Sequence, residues 1–448
     1  MSATRAEAGP RKRKLAAVIC LIALMAMGLA ACRGFFGQGP IALLVTNAAG
    51  DQEVPIAITF SVSGSNDPDG LIATYDLDFG DGSTHATGTD VTDVITHVYD
   101  EAGTYTVLLT VTDNDGRIGM VNGVITIGPV MITFAANRVT DYDIYRMQGD
   151  GTDQGAVNNT TDDELFPDLV RGTRDKIAYA AEDSTSWNIW TMTVTGGSLN
   201  QLTIQTASNQ IQPSWSSDGS SIAYASNAED GTSTTSWELF TMTALGGSQT
   251  KLTTQSPSWA IAPAYSPVSE DILFVSNKGT PDGGSSIWMK EDGSAAAELY
   301  DGPGRDGDAS PSVGILGVTL DLPADAGISK PAWSPDGTMI AFSRERTTGE
   351  AHDIIDIYVM DADGDDPRDG DGDPISLEAY VDWLDVLNTS ITTDVDEFCP
   401  YWLEDGSGIC YVKADGSGDY QIYKVTFATG VITKLTATGN NVSPTSKR

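Results

Sequence analysis

The sequence predicts an all-β chain: a small β-sandwich followed by a closed ring of six repeats. Three observations predict it. The 448 residues include 47 Gly but only 19% charged side chains, a balance that suits short strands and tight turns better than solvent-exposed helices. Residues 41–128 alternate apolar and polar side chains with period two, the pattern of half-buried strands. From about residue 130 onward one strand-turn-strand pattern recurs in five full copies. The formal charge of −37, from 25 Lys+Arg against 62 Asp+Glu, excludes a surface built to hold phosphate backbones, so no nucleic-acid partner is expected. With 40% hydrophobic residues, including 9 Trp, 15 Tyr and 11 Phe, the chain can bury cores and is not globally disordered.

Residues 1–31 read as an export signal. The basic cluster Arg11, Lys12, Arg13 and Lys14 precedes an uncharged run from Leu15 to Ala31, too short and wrongly flanked to span a bilayer. The run ends Leu29-Ala30-Ala31-Cys32, which resembles the bacterial lipobox. That resemblance implies cleavage before Cys32, acylation of its thiol and residues 32–40 as a lipidated tether. Each buried CH₂ of the acyl chains adds about 0.8 kcal/mol to membrane attachment. An exported, lipid-anchored protein of the bacterial envelope is therefore expected, with the outer membrane implied by Arg33 rather than Asp after the lipidated residue. Loss of residues 1–31 leaves 20 basic against 61 acidic side chains, a net −41. Cys20 leaves with the signal, so Cys399 and Cys410 are the candidate disulfide of an oxidising compartment.

In residues 41–128 the clearest strands are Ile56 to Val62 and Thr104 to Thr112. Gly80-Asp81-Gly82 supplies a tight turn, where Gly tolerates positive φ and Asp bonds its own backbone. Three marks stand in order: Ser63 to Gly70 (SGSNDPDG), Tyr75 to Gly82 (YDLDFGDG), and His97-Val98-Tyr99 leading into Gly103 to Asp113. This segment resembles a PKD domain, which implies an immunoglobulin-like β-sandwich; Leu77 stands where that pattern usually carries Trp. Tyr105 is the expected core and corner tyrosine. His97, inside His-x-Tyr, is expected to be a structural hydrogen-bonder. Asp67, Asp69, Asp113 and Asp115 are read two ways, as turn-forming carboxylates or as hard oxygen ligands for Ca²⁺.

In residues 130–448 the repeat is a Pro two residues before an aromatic or Leu, a polar turn, then an apolar pair ending in an aromatic. The copies begin at Pro167, Pro213, Pro263, Pro331 and Pro400. A third strand follows each, as in Asn188-Ile-Trp190 and Glu238-Leu-Phe240, and Leu-Thr closes the unit at Leu202-Thr203, Leu252-Thr253 and Leu435-Thr436. Asp143 to Met147 is a third strand with no Pro strand upstream, whereas Asn441-Val-Ser-Pro444 lies 44 residues after Pro400, near the spacings of 46 and 50 earlier in the ring. The far end is therefore expected to complete the unit begun at Met131, closing six blades and removing two sheet edges. Trp333-Ser-Pro-Asp-Gly337 is the intact form of the signature that makes these repeats resemble the TolB-type, WD-like β-propeller family. The resemblance implies a six-bladed β-propeller and is silent on chemistry.

Spacings of 68 and 69 after Pro263 and Pro331 mark insertions. One, near Asp301 to Ile328, reads as loop. The other joins an aspartate-rich loop to a short helix, Leu377 to Leu387, whose apolar strip is expected to pack on its own ring. That loop places seven Asp in thirteen residues; Asp361, Asp363, Asp365, Asp369, Asp371 and Asp373 are the candidate Ca²⁺ ligands. It fails the EF-hand pattern, since Asp366 and Gly372 fall where that motif needs Gly and Glu, and a solvated acidic loop is the competing reading.

No Gly-x-Ser-x-Gly or His-Glu-x-x-His occurs, and His85, His97 and His352 are the only histidines. The expected function is a non-catalytic, monomeric, lipid-anchored envelope scaffold whose ring presents a protein- or glycan-binding surface. The first alternative is a polysaccharide-active hydrolase or lyase using a pair of ring carboxylates. The second, implied by the TolB resemblance alone, is a periplasmic partner of a Tol-like envelope complex.

Overall fold

The computed structural model describes residues 38–445 apart from 48–51, 54–55, 100–101, 129, 139, 172–174, 184–185, 229–236, 255–257, 279–284, 301–329, 347–353, 365–374, 378–379, 381–395 and 416–418. Contacts divide the chain into two units, with the boundary between Pro129 and Val130.

The first unit holds two sheets. Val45–Thr46, Ile56–Ser61 and Val94–Tyr99 form one; the other runs Gln52–Glu53, Ile118–Gly128, Gly103–Asp113, Ile72–Asp78, Ala86–Gly88 in spatial order. Period two is visible in burial: Val107, Leu109 and Val111 are fully buried, Leu108 and Thr110 between them are partly exposed, and Thr104 and Thr106 earlier in the strand face solvent. Phe60 of the smaller sheet meets Phe79 at 5.6 Å, and Leu77, in the usual Trp position, is fully buried. The corner tyrosine is Tyr99 rather than Tyr105. Tyr99 is buried and its hydroxyl donates to the Phe79 carbonyl at 2.9 Å, whereas Tyr105 is half-buried and packs its ring on Tyr99 at 4.6 Å. Position along the strand explains the difference. Tyr105 lies on the buried side of its strand but near its end, where the core is thin.

Among its described residues the second unit holds six four-stranded antiparallel sheets. The first comprises Met131–Asn137, Tyr142–Gln148, Gly155–Ala156 and, from the far end of the chain, Asn440–Thr445, which pairs with Met131–Asn137. The second is Glu164–Leu169, Lys176–Asp183, Ser186–Thr193 and Asn200–Gln201; the third is Gln210–Trp215, Ser221–Ser226, Glu238–Thr243 and Thr250–Lys251. The fourth is Ala260–Tyr265, Ile272–Ser276, Ser286–Lys290 and Ala297–Tyr300. The fifth is Ala332–Trp333, Met339–Arg346, Ile354–Asp361 and Ile375–Ser376, and the sixth is Glu397–Trp402, Gly408–Ala414, Tyr420–Thr426 and Val431–Lys434. The Pro-bearing strand of each sheet touches that of the next, and Glu397–Trp402 touches Asn440–Thr445, which touches Glu164–Leu169. These six strands are the inner strands.

Side chains explain the repeats. In Ser334-Pro-Asp-Gly337 the Ser334 hydroxyl donates to Asp336 at 2.6 Å and accepts the Met339 N–H at 2.9 Å, while Asp336 accepts the Thr338 N–H. Gly337 takes φ of 74°, which L side chains resist. Ser216 and Asp218 make the same turn in the third sheet. The Thr of each Leu-Thr bonds across its sheet: Thr253 donates to Glu238 Oε2 at 2.6 Å and accepts the Leu239 N–H at 2.9 Å. Thr203 does the same with Asn188 and Ile189, and Thr436 with Gln421 and Ile422. Of the expected helix only Leu377 and Tyr380 lie among the described residues; both are buried, with the Tyr380 ring 5.5 Å from Phe427 and 6.0 Å from Trp402.

Candidate functional site

The recurring Pro sits inside an inner strand, where a sheet has no use for a residue without an N–H. Five of the six strands resolve this with a bulge. Pairing breaks between Leu165 and Asp168, Ile211 and Ser214, Ile261 and Ala264, Phe398 and Tyr401, and Val442 and Thr445. The residue before each Pro is left-handed: Phe166, Gln212, Ala262, Cys399 and Ser443 have φ between 51° and 56°. A non-Gly residue in that region costs about 1–2 kcal/mol, and five such residues at equivalent positions mark a constraint that the ring imposes. In the fifth sheet Lys330-Pro331 occupies the same place just ahead of Ala332–Trp333.

The bulges surround a cavity of about 50 Å³. All six inner strands contribute to its wall, through Asp168, Ser214, Ala264, Ala332, Tyr401 and Thr445, the residues that follow the six prolines. Phe166, Lys330, Cys399 and Ser443 line it from the position before Pro, and Tyr265, Trp333 and Arg171 complete it. Polar links tie its wall together. Asp168 Oδ2 accepts the Trp215 N–H at 2.7 Å, Gln212 Oε1 the Ala262 N–H at 2.9 Å, Ser214 Oγ the Tyr265 N–H at 3.1 Å, and the Ala264 carbonyl the Trp333 indole N–H at 3.1 Å.

Two cations reach the cavity. Arg171 lies 3.8 Å from the buried Glu404. The Lys330 ammonium donates to the Pro213 carbonyl at 2.9 Å; burial pushes its pKa down, and the nearby Asp168 and Cys399 act against that. Burial likewise holds the Tyr401 hydroxyl far above its ordinary range, with Glu404 adding to the effect. Gln212 Nε2 and Ser443 Oγ are buried with no hydrogen-bond partner. The arrangement can hold a small polar group.

Comparison with known proteins identifies the first unit. Residues 40–126 match the PKD domain family. Over 77 residues the chain is 44% identical to a microbial collagenase of Vibrio alginolyticus; they are 17% of this chain and 9% of the collagenase. The chain thus spans under a tenth of the length of that relative. TolB from Acinetobacter baumannii superposes with a TM-score of 0.52 at 15% identity, over 77% of this chain and 80% of TolB. Hydrazine synthase of Kuenenia stuttgartiensis gives 0.50 at 16% identity, over 71% of this chain and 47% of its own. At such identities the likeness is one of fold, that of a TolB-type β-propeller.

In the PKD domain His97 is structural. Its Nε2 lies 2.6 Å from Asp81 and its ring stacks on Phe79 at 3.9 Å. Burial raises the Asp81 carboxyl, but hydrogen bonds from Ser83 and His97 outweigh it and hold Asp81 down at about 2. His85 pairs with Asp76 at 2.8 Å on the surface. Asp113 Oδ1 accepts the N–H groups of Asp115 and Arg117, both at 2.8 Å, Asp115 pairs with Arg117, and Asp69 accepts the Gln38 N–H at 2.8 Å. These carboxylates, with Asp67, serve turns. Among the described residues no three His, Cys, Asp or Glu side chains are placed to share a metal ion.

Of the aspartate-rich loop, Asp361 ends its strand and accepts the Asp363 N–H at 3.0 Å. Asp365, Asp369, Asp371 and Asp373 lie outside the described residues, as do Cys32 and His352. Cys399 and Cys410 are two buried thiols rather than the expected disulfide. Cys399 occupies the bulge and faces the cavity, while Cys410 pairs with Tyr401 on the neighbouring strand, where burial pushes its thiol up to about 12. The cavity was missed by sequence reasoning, although its signal, a Pro at one place in every inner strand, was in view.

Proposed function

We propose that the protein is a lipid-anchored scaffold of the cell envelope: Cys32 carries the lipid, the PKD domain is an immunoglobulin-like spacer or adhesive module, and six sheets form one closed six-bladed propeller that binds a protein or glycan partner. One observation carries the reading. A single cavity is walled by residues from all six inner strands and leaves buried polar groups uncommitted, as a site for a bound group does. The carboxylates on hand favour binding over turnover. Asp168 is tied to the Trp215 backbone, and the buried pair Asp143 and Glu164, 3% and 2% exposed, is sealed from substrate. Ca²⁺ on the aspartate-rich loop remains part of the proposal, tested by protection of that loop from protease on calcium addition.

The test is capture from native envelopes with the acylated protein, alongside a glycan array and an assay for new reducing ends. Specific capture or array binding without turnover is expected. Release of reducing ends from a bound polysaccharide would overturn the scaffold reading. Labelled fatty acid should enter the protein and fail to enter Cys32→Ser.

A further inference from the structure

We propose that the axial cavity of the propeller recognises a carboxylate group, with Lys330 as its counter-charge. The proposal deepens the binding reading above and rests on the cavity being the binding site. Its basis is an imbalance between donors and acceptors. The Lys330 ammonium carries three N–H groups, and one is committed to the Pro213 carbonyl. The Ser443 hydroxyl, which lines the cavity, is buried without a partner and stands at the same step before Pro as Lys330. Asp168, the acceptor nearest in kind, already takes the Trp215 N–H and faces Lys330 across the same lining, while Arg171 has Glu404 beside it.

Uncommitted buried donors call for an acceptor oxygen, and a charged one satisfies an ammonium best. Size selects among oxyanions. The cavity of about 50 Å³ admits a carboxylate with one or two carbons but not a whole sugar ring, so a glycan partner would enter it only by a carboxylate arm, since each water-sized group needs roughly 10–15 Å³. Tyr265, Trp333 and Phe166 in the wall suit the apolar stem of such a group. A free small acid and the carboxylate end of a peptide share this chemistry.

The experiment is a ligand-observed NMR titration of the full protein, in a buffer free of carboxylates. The probes are acetate, acetamide, and two tripeptides that differ only in a carboxylate or amide terminus. Saturable binding of acetate, of the acid-ended tripeptide or of both is expected, with neither amide bound. Acetate alone would mark a free small acid as the source, and a tighter acid-ended tripeptide would mark a chain end. Lys330→Met should weaken binding at least tenfold, and Ser443→Ala, a small change certain to keep the fold testable, should weaken it several-fold. Equal binding of acetate and acetamide, no binding by either acid, or wild-type affinity in both variants would overturn the proposal. An envelope partner captured equally by wild type and Lys330→Met would leave the scaffold reading standing while the carboxylate assignment fell.

Discussion

Replacing Glu164 by Gln should make the propeller more stable in alkaline than in acidic solution relative to the wild type. Glu164 begins an inner strand and is 2% exposed. Burial, with the nearby Asp143 and Asp141 adding to it, pushes its carboxyl up to about 8, against the Thr160 hydroxyl, which lowers it. The unfolded carboxyl titrates near its model value of 4.5, so between these two pH values folding must take up a proton. The group's stabilising form is therefore fully present below about pH 4.5 and is lost as the pH rises through about 8. At about 1.4 kcal/mol per pKa unit the ceiling is about 5 kcal/mol, and proton sharing with Asp143 brings the expected change nearer 2–3 kcal/mol. Glu164→Gln removes the titration. The first Trp is Trp187, so all nine indoles follow the PKD domain and intrinsic fluorescence reports the propeller alone. Urea midpoints by Trp emission should coincide for both proteins at pH 4 and diverge steadily up to pH 8. Parallel pH profiles would refute the reasoning.

The PKD domain should show the opposite dependence. Asp81, held at about 2, contributes stability that is present above its unfolded value of 3.8 and lost as the pH falls through about 2; Asp81→Asn should flatten that acid limb in near-UV circular dichroism, at about 1–2 kcal/mol near neutrality. Thr253→Val, nearly isosteric, should destabilise the propeller by about 1–3 kcal/mol, because it strands the Leu239 N–H and takes one hydrogen bond from the buried Glu238 carboxylate, which keeps Lys251; an unchanged urea midpoint would contradict the account of the Leu-Thr pairs. Removing residues 440–448 should expose the edge of Met131–Asn137 and convert monomer to aggregate on size exclusion; a soluble monomer with native Trp emission would contradict it.

How much was legible depends on whether a feature is local. Period-two alternation in Gly103–Asp113 and the spacing of Pro400 to Pro444 are written in single segments, and the structure forms the corresponding strand and the pairing of Asn440–Thr445 with Met131–Asn137. The cavity is not local. Lys330, Cys399 and Ser443 are far apart in the chain and become neighbours of one space only when bulges in separate strands turn inward. The Pro repeat announced those bulges, but sequence reasoning used it to count strands and overlooked what a missing N–H does inside one. Tyr99 and Tyr105 show a similar limit. Both lie on buried sides of strands, and only the fold places one hydroxyl beside the Phe79 carbonyl.

The strand that completes the first sheet also sets a clock for assembly. The hydroxyl of Thr133 reaches the carbonyl of Thr445, 312 residues later, and bringing such distant ends together forfeits about 5 kcal/mol of chain entropy beyond a constant. Five sheets can assemble from neighbouring segments as the polypeptide emerges, while the first must wait with an open edge until the last six-residue strand arrives. Registration of that strand is thus the slow, length-dependent event expected of high contact order. A nascent or threaded chain that still lacked Asn440–Thr445 would keep the edge of Met131–Asn137 open, and the first sheet would lock only once that strand is added.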